Sequence, residues 1–301
     1  MRAVLVSNPK SYRGPYPVER LAPMLRTAGW TLDVVERLPG TDVHDLLAPI
    51  LANGTTDVVL SAGGDGTARD VAAEVAGTGL RLVILAGGTT NVVAREMGMP
   101  REPEAAARAL LAATPRPLDL GRLTLPDGRV ERFLLAAGLG LDAHVLAATD
   151  DALKRRVGPF AIAAAAIAAA PRLRPFAVRI DVDGARLHEG RVWQIVLPNA
   201  RRWGGAFAIA PGAAADDGLL DVVALRDRGR FRLVVDLSEL LILRHPHPSD
   251  VASGRGRSIR IETDAPVALE LDGTPIGAAE AGPFAFDIEA GALQVLAPRE
   301  L

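Results

Sequence analysis

Four short apolar runs rich in β-branched residues mark the first third of the chain: Ala3 to Ser7, Thr31 to Val35, Asp57 to Ser61 and Leu82 to Leu85. Helical patterns lie between and after them, over Val18 to Ala28, Val43 to Asn53, Ala68 to Ala76 and Glu102 to Ala113. Strands alternating with helices predict a parallel sheet joined by crossover helices. A Rossmann-like open α/β sheet of this kind takes its ligands at the carboxyl ends of its strands.

The texture changes after Pro115 to Pro117. Strand-like segments follow, punctuated by Asp127-Gly128, Asp183-Gly184 and Asp272-Gly273. Asp-Gly turns between apolar runs predict antiparallel β-structure. Asp150 to Ala170, rich in alanine, and Phe231 to Leu243 are the helical exceptions. The pattern predicts an α/β domain over residues 1–118 and a β domain over 119–301, with the last residues free to return to the first domain.

Length fits this division, because 301 residues exceed one average domain and either half is large enough to bury a core. A 49% hydrophobic share and 23% charged residues are ordinary for a folded protein. The formal net charge of -2 removes the electrostatic footprint of a dedicated nucleic-acid binder, so any attraction to phosphate is local. The absence of cysteine excludes disulfides, thiolate zinc sites and cysteine nucleophiles. Met1 to Asn8 reads as a strand rather than a signal peptide. Phe160 to Ala170, the most apolar stretch, is about half the roughly 20 residues a spanning helix needs.

Two glycine-rich loops carry the chemistry. Val58 to Ser61 leads into Ala62-Gly63-Gly64-Asp65-Gly66-Thr67, and Val83 to Leu85 leads into Ala86-Gly87-Gly88-Thr89-Thr90-Asn91; a helical pattern follows each. Glycines at a strand-to-helix turn admit a phosphate close to the backbone, and the free amides and dipole of the helix start attract it. Triphosphate binding is one reading and a structural tight turn the other. Neither loop is a G-x-G-x-x-G fingerprint or a Walker loop. Ser7-Asn8-Pro9 closes the first strand as a third candidate.

These residues, read with others further on, resemble the diacylglycerol kinase catalytic family, which includes sphingosine, ceramide and bacterial lipid kinases. The match runs in family order through Asn8-Pro9, Gly63 to Thr67, Gly88 to Asn91 with Ala94-Arg95, and Gly138 to Asp142. It continues through Asn199-Ala200-Arg201, Gly204-Gly205, Ile209-Ala210-Pro211, Asp217 to Asp221 and Leu271-Asp272-Gly273. The resemblance implies an N-terminal nucleotide domain, a C-terminal antiparallel β-sandwich carrying the lipid site, and catalysis in the cleft between them. ATP is expected along Asn8, Pro9, Gly63, Gly64, Asp65, Gly66, Thr67, Gly88, Thr89 and Asn91, with Mg2+ accompanying it. A structural magnesium is implied at the Asp217 side chain and the carbonyls of Ala214 and Leu219.

The chain departs from the family at chemically important positions. The family's Asp-Gly-Glu supplies the proton acceptor, but the Glu position is Thr274 here, and a threonine hydroxyl is no base near neutral pH. Asp65 and Asp272 are left as candidate catalytic carboxylates. Arg69-Asp70 replaces an Asn-Glu pair, and Val92 replaces an Asp. The expected activity is transfer of the ATP γ-phosphoryl group to the primary hydroxyl of a diacylglycerol, ceramide or sphingoid lipid. The alternatives are a soluble-substrate kinase resembling NAD kinase and a catalytically silent lipid or nucleotide binder.

A lipid kinase without a span meets its substrate at the bilayer surface. Lys154-Arg155-Arg156, Phe160 to Ala170, Arg172 and Arg174 are one candidate contact and Arg201-Arg202-Trp203 another, each equally readable as ordinary packing with solvated charges. The expectations are a membrane lipid partner, no nucleic acid, an open option of a homodimer, and a cytoplasmic protein held peripherally at the inner membrane face.

Overall fold

The structure is a computed structural model that describes residues 1–11, 15–88, 91–141, 143, 169–170, 173–201, 209–241 and 247–298. It divides into two compact units, Met1–Leu120 with Ala290–Leu301, and Gly121–Glu289.

The first unit runs β1 (Arg2–Ser7), α1 (Val18–Thr27), β2 (Thr31–Glu36), α2 (Val43–Ala52), β3 (Val58–Gly63), α3 (Asp65–Val75), β4 (Arg81–Ala86), α4 (Val92–Glu96), α5 (Pro103–Leu111) and the start of β5 (Thr114–Thr124). Its sheet is parallel in the order β4-β3-β1-β2. Every residue of β3 is buried, as is all of β1 and β4 beyond the first residue, whereas β2 at the edge is buried at only one position. Continuous apolar runs therefore went to strands covered on both faces. The final strand, β15 (Pro283–Ala297), lies parallel to β4 through Gln294 and Val295.

Two local readings differ from the sequence pattern. Helix α3 begins at Asp65, not Ala68, because Gly64 takes the extended cap geometry and Asp65-Gly66-Thr67 becomes the first turn. The Pro115 to Pro117 segment, read as a break, is inside β5. The two prolines are two residues apart, so their missing donors fall on the same edge of the strand and leave the other edge intact.

The second unit continues with β6 (Val130–Phe133), β7 (Ala136–Gly140), β8 (Phe176–Val182), β9 (Ala185–Pro198), β10 (Leu220–Arg226) and α6 (Arg230–Leu241). A 3-10 turn at Pro248–Asp250 leads to β11 (Val251–Gly256), β12 (Ser258–Thr263), β13 (Val267–Leu271), β14 (Thr274–Ala279) and the first part of β15. The order is β14-β13-β7-β9-β8-β12-β15, with β10 beside β9 and β11 beside β10. Neighbours pair antiparallel, and the unit is a β-sandwich. Its core gathers Phe133, Phe284, Phe286, Ile180, Ile195 and Leu269, all at most 1% exposed. Asp183-Gly184 and Asp272-Gly273 each close a two-residue hairpin with both residues at positive φ, 48° and 82° in the first and 51° and 77° in the second. That geometry is the reason an Asp-Gly pair reads as a hairpin.

Candidate active site

The two glycine loops sit side by side at the carboxyl ends of β3 and β4, which pair in register from Val58–Arg81 to Gly63–Ala86. Gly87 N–H donates to the Gly63 carbonyl at 3.1 Å. The approach is so close that a Cβ on Gly88 would lie 2.5 Å from Gly64 Cα, and one on Gly63 would lie 2.6 Å from Thr67 Oγ1. Glycine is required here for space rather than for φ. Asn8 joins them: its N–H donates to the Ala62 carbonyl at 3.1 Å, and its Nδ2 donates to Thr67 Oγ1 at 3.0 Å. Pro9 follows at the end of β1.

The two loops play different parts. Asn91, at φ 48°, returns its side chain onto its own loop: Oδ1 accepts from Gly88 N–H and Nδ2 donates to the Gly88 carbonyl, both at 2.7 Å. Asp65 reaches across from α3 to the start of α4, where its Oδ1 accepts from Val93 N–H at 3.2 Å and the amides of Val92 and Asn91 add to the hold. The amides at the start of α4 are thus taken by a carboxylate. Those in the first turn of α3, at Gly66 and Thr67, have no carbonyl four residues back to accept them. The start of α3 therefore keeps amides without an intrahelical acceptor, and the second loop packs against it as a buttress.

Asp65 is partly accessible at the loop surface but surrounded by protein. Desolvation raises its pKa above the ordinary carboxylate value, and the α4 amides oppose that rise. Behind it, Asp70 binds two guanidinium groups: Arg37 Nη1 is 2.7 Å from Oδ2, and Arg69 Nη2 is 2.9 Å from Oδ1. The Arg69-Asp70 departure therefore leaves a positive excess beside the first turn of α3.

In the second unit, Asp272 is fully engaged. Oδ1 accepts from Leu135 N–H at 2.7 Å and Ala136 N–H at 3.1 Å, and Oδ2 accepts from Leu134 N–H at 2.9 Å. Asn199 completes the same strand entry by donating Nδ2 to the Leu134 carbonyl at 2.9 Å. Glu270, which motif reading passed over, is 1% exposed on β13 and accepts from Gly273 N–H at 2.6 Å. The alternation of β13 gave no signal for it, since Val267, Leu269 and Leu271 take the core-facing positions and Glu270 falls on the opposite parity. Thr274 is exposed at the start of β14.

Asp217 lies in the turn before β10, with Ala214 and Leu219 beside it. Its Oδ1 accepts from Leu219 N–H at 3.0 Å, and its Oδ2 is 3.3 Å from Arg255 Nη1. Arg255 also bridges Asp221 at 3.0 Å and donates to the Gly212 carbonyl. The single guanidinium of Arg255 is shared between the two carboxylates of this turn, so it offsets one of their two negative charges. Among the described residues, no group of three or more His, Cys, Asp or Glu side chains gathers in one place.

The second unit also holds a cavity of about 480 Å³ lined by Leu141, Leu173, Phe176, Trp193, Pro266 and Val267, with Arg174 and Arg191 at its polar side. Trp193 is 4% exposed, and its indole N–H has no acceptor among the described residues. Thr89, Asp142, Lys154 to Arg156, Phe160 to Ile167, Arg172, Arg202, Trp203, Gly204 and Gly205 lie outside the described residues.

Residues 2–123 match the family model described as the diacylglycerol kinase catalytic domain, and residues 136–297 match the YegS C-terminal NAD kinase beta sandwich-like domain. A protein named "Diacylglycerol kinase" from Mycobacterium tuberculosis is 31% identical, the match covering 99% of this chain and 96% of that protein. A Pseudomonas putida protein named "Probable lipid kinase YegS-like" is 34% identical over 85% of this chain and 82% of its own length. A crystal structure of a diacylglycerol kinase from Bacillus anthracis superposes with a TM-score of 0.72 over 98% of this chain and 96% of that one; at 20% identity it speaks for the fold alone. No helix among the described residues is long and apolar enough to cross a membrane. Two family models in tandem and relatives matched end to end place this chain in the family of diacylglycerol kinases and YegS-like lipid kinases.

Proposed function

We propose that this chain transfers the γ-phosphoryl group of ATP to the hydroxyl of a diacylglycerol-class lipid. The observation that carries the reading is the loop pair in the first unit, where Asp65 takes up the α4 amides while those of Gly66 and Thr67 have no intrahelical acceptor. In the proposal the Gly66 and Thr67 amides hold nucleotide phosphate, and the positive excess at Arg37 and Arg69 adds attraction. A magnesium ion arriving with the nucleotide supplies charge neutralisation of the phosphates. Asp65 is assigned the proton from the acceptor hydroxyl, because it sits in the glycine loop itself and burial raises its affinity for a proton against the opposing pull of the α4 amides. Phosphoryl transfer through a loose transition state asks mainly for positioning and charge stabilisation, so the loss of the family Glu at Thr274 is tolerable. The cavity near Trp193, with a lining of mixed polarity that includes Arg174, Arg191 and Asp264, is assigned to the lipid.

The experiment is transfer of labelled phosphate from ATP to mixed micelles of diacylglycerol, ceramide or a sphingoid base, with NAD as a soluble comparison. Labelled diacylglycerol is the expected product, and Asp65→Asn is expected to lower the rate by roughly 100-fold or more. Labelling of NAD alone, or of nothing, overturns the reading.

A further inference from the structure

We propose that the start of α6 is a docking edge for an anionic bilayer, with Phe231 as the inserted side chain and Arg226, Arg228 and Arg230 as its headgroup contacts. Phe231 is 85% exposed, more than any other large apolar side chain among the described residues; Leu38, the next, is 56% exposed. The exposure is not a frayed end of an otherwise unpacked helix. Leu233 and Leu237 on the same helix are 1% and 4% exposed and pack with Leu141, Leu173, Trp193 and Leu225. The helix is anchored by that face, which fixes Phe231 pointing away from it.

Charge supplies the partner. Arg226 and Arg228 each donate to the Ser249 carbonyl, at 3.2 Å and 3.3 Å, and Arg230 donates to the Leu173 carbonyl at 3.4 Å. Carbonyls orient a guanidinium without cancelling its charge, and none of the three has an ion pair among the described residues. Of the nearby acids, Asp227 faces Arg191, and Asp236, Glu239 and Asp250 gather around the one guanidinium of Arg232, where Asp236 and Asp250 are buried away from the surface. An exposed aromatic ring among uncancelled guanidinium groups matches the boundary where acyl chains meet anionic headgroups. A protein partner would be expected to cover Phe231 with apolar surface and to answer the arginines with carboxylates, and nothing here favours that over phosphate.

The edge is also continuous with the cavity. Leu141, Leu173 and Trp193, on which α6 packs, are cavity-lining residues, and Arg174 beside Leu173 is exposed. The purpose of the edge rests on the lipid-kinase reading; its chemistry does not.

The test is sedimentation of the full chain with phosphatidylcholine vesicles, with and without phosphatidylglycerol, in the absence of nucleotide. Wild type is expected to bind the anionic vesicles and to lose binding as salt is raised. Phe231→Ser is expected to weaken the partition roughly tenfold, and Arg228→Gln or Arg230→Gln roughly fivefold each. All three positions are exposed, so melting temperatures are expected to stay within a degree or two of wild type. Phosphorylation of a water-soluble short-chain diacylglycerol is expected to be unchanged in these variants, and that of vesicle-borne lipid to fall. Binding that ignores phosphatidylglycerol, or variants that bind like wild type, overturns the proposal. Loss of vesicle binding in the variants, together with no lipid phosphorylation by wild type, leaves the docking edge standing and removes the kinase reading instead.

Discussion

The loop after β3 and the turn after β13 each set an aspartate next to a glycine, and each aspartate gathers the backbone amides of a neighbouring segment. Asp65 does so from the first turn of a helix, reaching the start of α4 while the Gly66 and Thr67 amides of its own turn lack an intrahelical acceptor. Asp272 does so from a hairpin at positive φ, and both its oxygens are occupied by the entry to β7. The same motif chemistry therefore yields an open site in one unit and a closed clamp in the other. What separates them is the backbone around the carboxylate, since a helix start has donors to spare and a two-residue hairpin has none.

The contrast is sharpest in paired substitutions. Asp272→Ala strands three amides and is expected to cost about 3 kcal/mol of unfolding free energy, read by denaturant titration. Asp65→Ala is expected to cost less, about 2 kcal/mol, because its carboxylate is only partly enclosed, yet to remove nearly all phosphoryl transfer. Equal stability losses with equal residual activity would erase the distinction.

Asp236 gives a pH test inside the second unit. It is 1% exposed, and burial pushes its pKa to about 6 against the attraction of Arg232 at 2.9 Å. The folded chain then holds a proton that the unfolded chain releases near 3.8, so stability falls as pH rises from about 4 to about 6 and is level above that. A fall of order 2 kcal/mol is expected across that window in wild type, flattened in Asp236→Asn.

A smaller effect concerns the turn before β10. Without nucleotide, magnesium is expected to move the melting temperature little, because it must compete with Arg255, which already pairs with Asp217 at 3.3 Å and with Asp221 at 3.0 Å. Arg255→Leu is expected to lose about 1 kcal/mol and to become responsive to magnesium. A wild-type melting temperature that climbs with magnesium would return the turn to a metal.

Much of the first unit was legible because its strands are continuous apolar runs between helical segments, and the hairpins at Asp183-Gly184 and Asp272-Gly273 because positive φ in two successive residues selects that pair. What escaped was non-local. Nothing near Asp65 in the chain announces the amides of Asn91 to Val93, and nothing near Asp217 announces Arg255. The resemblance placed a magnesium at that turn, and the fold brings a guanidinium from β11. Pro115 and Pro117 read as a break because local propensity does not reveal which edge of β5 needs donors. Phe231 read only as the start of a helix, since its meaning depends on which helical face the core takes.

The most direct test of the phosphate cup is calorimetric titration of wild type and Gly88→Ala with ATP and with adenosine. The account predicts that wild type binds ATP at least tenfold more tightly than adenosine, and that Gly88→Ala loses this preference because its Cβ meets Gly64 Cα at 2.5 Å and forces the loops apart. Adenosine binding as tightly as ATP in wild type, or a variant that keeps the triphosphate preference, would contradict it.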